Sequence, residues 1–290
     1  MDRFSNRAVR DLAWVIASPP LVSGDHNNTH WWNHPDCLIE FNDCLAALEQ
    51  LDKDPTPLIT HLALLNSKRL GLHFESLVAY WLMISPNYEL IAQNIQIMEA
   101  LAKGSHTLGE IDFIIRHLKT DEVIHLEVAV KFYLGSPPYD NPMRWFGTNT
   151  KDQLGKKVDH LKQHQTQLSI KYPEHINKLG YHIDKHECFL KGRLFYPTAS
   201  DIPPEGVSNN HLRGRWIQSS DGNNGHENKL LYPLEKLEWL AQFNQSDFDS
   251  KNLENGFRKE ERAKCYIQAT KTKQEIERVF YLPGSFKFPN

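Results

Sequence analysis

The sequence predicts an α/β protein, and three observations carry that expectation. Residues 110–117 and 123–134 alternate apolar and polar side chains, the period-two mark of strands. Residues 68–84 set Leu70, Phe74, Leu77, Val78, Trp81 and Leu82 at three- and four-residue spacing, the mark of a helix with one buried stripe. Residues 152–168 return to helical spacing, with Leu154, Val158, Leu161 and Leu168 on one face, and residues 187–196 read as another strand closed by Pro197.

The elements follow in order. Residues 7–17 and 37–51 read as helices joined by a polar, histidine-rich loop. Pro55 and Pro57 interrupt, and a short helix is expected over 58–65. Ser85-Pro86-Asn87 stops the helix over 68–84, because proline cannot continue the ladder of helical hydrogen bonds. Residues 90–98 alternate weakly as a strand, and 103–107 read as a polar link before the hairpin. The loop over 135–150 carries Arg144, Trp145 and Phe146. A strand is expected over 212–219, a loop over 220–228, and helices over 233–243 and 253–280. The domain expectation is a helical N-terminal extension (1–66), a central core (67–197) and a C-terminal extension of a strand plus helices (198–290).

Composition narrows the class. Of 290 residues, 40% are hydrophobic and 24% charged, which excludes collagen, a simple coiled coil and wholesale disorder. The longest apolar run, residues 77–84, is far short of the roughly 18 residues that a membrane span needs, so no membrane association is expected. Cys37, Cys44, Cys188 and Cys265 form no CxxC pair, and reduced thiols in a cytoplasmic protein are expected. His26, His30, His34 and Cys37 match no standard zinc spacing. No phosphate loop, dinucleotide-binding turn, nucleophile elbow or HExxH helix occurs. The net charge of −3 excludes a globally basic nucleic-acid coat, but it is unevenly spread. Residues 1–66 hold 4 basic and 9 acidic side chains, whereas 131–196 hold 11 and 6. A basic segment after acidic ones suits a cation site beside a surface that meets phosphate.

The chemistry sits on the hairpin. Ile124, Leu126, Val128, Val130, Phe132 and Leu134 form one face of its second strand. His125, Glu127, Ala129, Lys131 and Tyr133 form the other. A turn near residues 119–120 sets opposite residues to numbers that sum to about 239, which puts Asp112 across from Glu127. Like charges opposite each other repel, and a hard divalent cation between them resolves the conflict. Lys131 lies farther along the same face, and Glu75 stands at the edge of the preceding helix's stripe. Without a cation, the bland alternative is a solvated hairpin face.

These residues resemble the PD-(D/E)XK nuclease superfamily. The resemblance runs through Glu75 in GLHFESL, Asp112 in GEIDFII, and Glu127 and Lys131 in HLEVAVKFYL. It covers about residues 68–197 and implies a restriction-endonuclease-like core of helix, three strands, helix and strand, here with helical N- and C-terminal extensions. TLGEIDF, LEVAVKFYL and VRDLAWVIASPPLV also look like an uncharacterised bacterial family assigned to that superfamily. The resemblance implies hydrolysis of phosphodiesters, DNA favoured over RNA, with Mg²⁺ or Mn²⁺ held by Asp112 and Glu127. Lys131 would act on the attacking water and Glu75 would assist. Gln153 and Lys157 on the following helix, and Arg144 in the loop, would contact the nucleic acid. The sequence departs from the motif in one place. The motif's lysine falls two residues after the glutamate, where this chain has Ala129. The alternative is a nuclease fold without cleavage that binds nucleic acid or a protein partner.

Overall fold

The computed structural model describes residues 3–100, 105–218, 230–249, 251 and 262–289. The chain begins with α1 (Arg7–Ala17), capped by Asn6, whose side chain accepts the Ala8 N–H. α1 is buried from Val9 to Ala17, and its buried charges are paired, Asp11 with Arg7 and Arg10 with Asp247. β1 (Gly24–His26) and β2 (Thr29–Trp31) follow as a small hairpin where the sequence suggested only a loop. Asn27 and Asn28 make its turn, both at positive φ, which asparagine tolerates better than most residues. The helix expected over 37–51 forms as two, α2 (His34–Asp43) and α3 (Leu45–Lys53), joined at Cys44. α4 (Thr56–Ala63) and α5 (Leu70–Ile84) complete the first half.

β3 (Tyr88–Ala100), β4 (Ser105–His117) and β5 (Val123–Gly135) run antiparallel. β6 (Trp145–Phe146) is a short appendage on β5. The chain returns through α6 (Leu154–Gln163), α7 (Leu168–Lys171) and α8 (Pro173–Asn177) to β7 (Lys185–Pro197), parallel to β5. β8 (Leu212–Gln218) lies parallel to β7.

The C-terminal region differs from expectation. Where helices were expected, the described residues form β9 (Leu230–Pro233), a single helical turn at Lys236–Glu238, the short α9 (Gln245–Asp249), β10 (Lys264–Ala269) and β11 (Glu275–Leu282). Cys265 to Ala269 are buried without alternation, so these residues carry no period-two signal. The loop expected over 220–228, residue 219 of the strand expected over 212–219, and residues 253–261 of the last expected helix lie outside the described residues. The result is a mixed α/β architecture with an eleven-stranded sheet in the order β3-β4-β5-β7-β8-β11-β10-β9, to which β1, β2 and β6 attach.

β5 sorts its side chains as its alternation predicts. Ile124, Leu126, Val128, Val130, Phe132 and Leu134 enter a core shared with Leu12 of α1 and Phe74 and Trp81 of α5. Ala129 and Tyr133 enter a second core with Leu154 and Leu161 of α6. His125 and Glu127 are buried on that second side, so both faces of β5 are covered.

Two features of β7 hold this arrangement. Lys191 is fully buried, and its ammonium donates to the carbonyls of Ile16 and Ser18 at the C-terminal end of α1. A cation suits that end because the unpaired carbonyls concentrate negative charge there. Gly192 sits at φ 149°, and a Cβ placed on it would stand 1.7 Å from the Lys131 carbonyl oxygen of β5. Only glycine lets the two strands pair at that point. Gly192→Ala is expected to cost at least about 1–3 kcal/mol, the usual cost of overpacking, read as a lower urea midpoint.

Candidate active site

The hairpin pairs in the register expected from its alternation. Phe113 faces Leu126 and Ile114 faces His125. Asp112 and Glu127 come next, but the ladder ends before them. From there β4 stays paired with β3, and β5 with β7. The two carboxylates take over the hydrogen bonds that the parting strands give up. The Val128 N–H donates to Asp112 Oδ2 at 2.9 Å, and the Asp112 N–H donates to Glu127 Oε1 at 3.3 Å.

Side chains from the return helices close on Glu127, which has no exposed surface. Gln165 Nε2 donates to Glu127 Oε2 at 2.9 Å, and Lys157 Nζ donates to Gln165 Oε1 at 2.7 Å. His125 Nε2 lies 2.8 Å from Glu127 Oε1. Its Nδ1 lies 2.8 Å from Ser169 Oγ, which in turn lies 3.0 Å from His186 Nε2. Burial pushes His125 down to about 3, so this imidazole stays neutral at physiological pH.

The charges are packed tightly enough to shift one another. Burial, then Asp112 and Glu110, push Glu75 up to about 7. Burial raises Asp112 and Glu127 as well, with Glu127 adding to the shift at Asp112. One carboxyl of this pair keeps a proton near neutral pH unless a cation joins it. Lys157 is the ammonium that faces them. Burial and Lys131 lower its pKa, and Asp112 and Glu127 hold it up.

The remaining residues singled out from sequence fall elsewhere. Lys131 Nζ pairs with Asp152 Oδ2 at 2.6 Å, and Asp152 also accepts the Tyr133 hydroxyl at 3.2 Å. Arg144 donates to the Pro137 and Pro289 carbonyls and to Ser136 Oγ. Gln153 Nε2 donates to the Met143 carbonyl at 2.9 Å. Arg144 and Gln153 thus spend these donors holding the loop around buried Trp145. His125 lay on the polar face of β5 in the sequence pattern, but nothing in sequence tied Gln165, Ser169 or His186 to it. All four cysteines are free and buried. His30 lies between Asp25 and Asp36, and His34 meets Asn210.

Among the described residues, no three His, Cys, Asp or Glu side chains form a ready metal cage. The pair Asp112 and Glu127 nevertheless fits a hard cation of the Mg²⁺ kind, which takes one or two carboxylates and fills its other positions with water and phosphate oxygens. Glu75 opens onto a cavity of about 250 Å³ that it shares with His61, Leu72, Asn94 and Phe113. A larger cavity, about 560 Å³, lies away from this cluster, against Trp32, Tyr88 and Glu187.

The fold and the site define a mixed α/β protein whose central hairpin sets a half-buried and a fully buried carboxylate beside one ammonium. The chain belongs to the family described as domain of unknown function DUF1853, whose model matches residues 10–281. No curated protein and no solved structure matches it. No helix among the described residues is long and apolar enough to cross a membrane.

The raised carboxyls set a pH dependence. A carboxyl whose folded pKa lies above its unfolded value stabilises the fold fully below the unfolded value, and that contribution is lost as pH rises through the folded one. Without divalent cations the melting temperature should therefore fall between about pH 4 and pH 8. Asp112→Asn should flatten that fall and raise the melting temperature at pH 8. Mn²⁺ should raise it more at pH 8 than at pH 6 in the parent protein, and less in the variant, measured by thermal denaturation.

Proposed function

We propose that the protein is a metal-dependent nuclease on a restriction-endonuclease-like core, hydrolysing phosphodiester bonds with DNA favoured over RNA. The observation that carries this reading is the pair of half-buried Asp112 and fully buried Glu127, standing where two strands part, with Glu75 and Lys157 turned toward it. The order of elements supports it: α5, then β3, β4 and β5, then α6, then β7.

Asp112 and Glu127 are the residues that would hold Mg²⁺ or Mn²⁺. Such a cation supplies an acidified water and a positive charge against the phosphate oxygens. Glu75, raised to about 7, is poised to take a proton from an attacking water near neutral pH. Lys157 brings a fixed ammonium to the side where negative charge grows on the phosphate. Lys131 is neutralised by Asp152, so Lys157 takes the part that the motif gives to the strand lysine.

Incubation with a mixed pool of single- and double-stranded DNA and RNA in Mg²⁺ or Mn²⁺ tests the reading. The parent protein should cleave and Asp112→Ala should not. Lys157→Ala should lose roughly 10²–10³ in rate, the cost of removing one charge-stabilising donor, whereas Lys131→Ala should lose far less. Metal-dependent cleavage that survives Asp112→Ala would falsify the proposal.

A second reading has its own support. Both oxygens of Glu127 are engaged by protein donors and the residue has no exposed surface. That closure favours a nuclease fold kept for binding alone. Salt-dependent binding of nucleic acid in Mn²⁺, with no product at high protein concentration, selects this second reading.

A further inference from the structure

We propose that a cavity beside Lys131 holds a phosphate group of the nucleic-acid strand, an inference that rests on the nucleic-acid substrate proposed above. The cavity measures about 320 Å³ and is walled by Lys68, Arg69, Lys131, Lys236, Asn149 and Trp239, among others. Four of these side chains are cationic. The one carboxylate in the wall, Asp152, is already paired with Lys131 at 2.6 Å. Among the described residues Lys68, Arg69 and Lys236 have no acidic partner. So much unpaired positive charge around one concavity calls for an anion of high charge.

One further observation points to the same ligand. The N-terminus of α5 also enters the wall through Arg69 and Leu70. No side chain caps this fifteen-residue helix, and its first turn holds no acidic residue. Its free amides and the positive end of its dipole therefore add to the field of the three unpaired cations.

The cavity stands in register with the candidate active site. Lys131 follows Glu127 by four residues on the same face of β5, roughly 13 Å at about 3.3 Å per residue. A strand with one phosphodiester at Asp112 and Glu127 would present a phosphate further along its backbone here. The group is either an internal phosphate of the strand or its terminal phosphate. Both have the same chemistry, and the probes below separate them.

The test uses the full chain in EDTA, so that binding is read without cleavage. The probes are inorganic phosphate and a fluorescein-labelled oligothymidylate of eight nucleotides, with and without a 5′-phosphate. The variant is Arg69→Ala with Lys236→Ala. Both side chains are exposed, and an unchanged melting temperature in phosphate-free buffer verifies the fold. Phosphate should raise the melting temperature of the parent and not of the double variant. The double variant should bind the oligonucleotide roughly tenfold more weakly at physiological salt, with the salt slope reduced by about 0.7 for each lost contact. If that loss appears only with the 5′-phosphorylated probe, the cavity holds a strand end. If it is equal for both probes, the cavity holds an internal phosphate. An unchanged affinity, slope and phosphate response in the double variant overturns the inference.

The two readings fail separately. Phosphate-dependent stabilisation and binding through Arg69 and Lys236, with no cleavage in Mn²⁺, would remove the catalytic proposal and leave this one standing. Cleavage that is indifferent to the double variant would do the reverse.

Discussion

The parting of β4 from β5 at Asp112 and Glu127 is the constraint on which the rest of the site depends. Two strands that separate inside a protein leave amides that must find acceptors. Here the side chains of the opposed pair supply them, through Asp112 to the Val128 N–H and Glu127 to the Asp112 N–H. The carboxylates are therefore structural acceptors in the place of the missing ladder bonds. The widening wedge admits the return helices. Leu168 of α7 packs so close to Gly109 of β4 that a Cβ there would come within 2.7 Å of it, while Leu154 and Leu161 of α6 pack in one core with Ala129 of β5. Those helices and the link between them bring Lys157 and Gln165 to Glu127. Sheet geometry, helix packing and charge placement are thus consequences of one break in a ladder.

That break also explains the electrostatics. A carboxylate with no exposed surface is expensive unless it is paired, protonated or bound to a cation. Glu127 has two neutral partners, His125 and Gln165, and faces the Lys157 ammonium across Gln165. Lys157 alone cannot balance Glu75, Asp112 and Glu127. Burial first, and neighbouring carboxylates after it, push all three acids upward. A divalent cation would neutralise what Lys157 leaves over, and the solvated hairpin face that spacing alone also allowed does not form, because Glu127 has no exposed surface.

Much of this was legible in the sequence because it is written in short-range periodicity. The alternation of β5 gave the buried face, and matching it to β4 gave the pairing of Phe113 with Leu126. Helix α5 was visible in its stripe of large apolar residues. The C-terminal strands were not visible, because β10 is buried on both sides from Cys265 to Ala269 and shows no alternation. The tight turn before β11, with Lys273 at positive φ, carries no glycine to announce it. Lys157 was legible as a polar helix residue but not as the partner of the carboxylates. Gln165 and Ser169 had no signal at all, because their positions depend on how α6 and α7 fold back over the sheet.

The place of the cation follows from Ala129. The motif that this sequence resembles puts a lysine there, two residues past Glu127. In this chain Ala129 is packed in one cluster with Leu154, Leu161, Cys188 and Leu190. A lysine at that position would have to leave its ammonium among apolar side chains or push α6 off the sheet, and either is costly. Alanine lets α6 lie close, and closeness is what lets Lys157, on the turn after Leu154, reach the acid cluster. The charge supplied from the helix therefore depends on the seat of α6, and α6 is seated by the loop before it. Arg144 and Gln153, which grip that loop through the Pro137, Pro289 and Met143 carbonyls, then bear on where Lys157 stands.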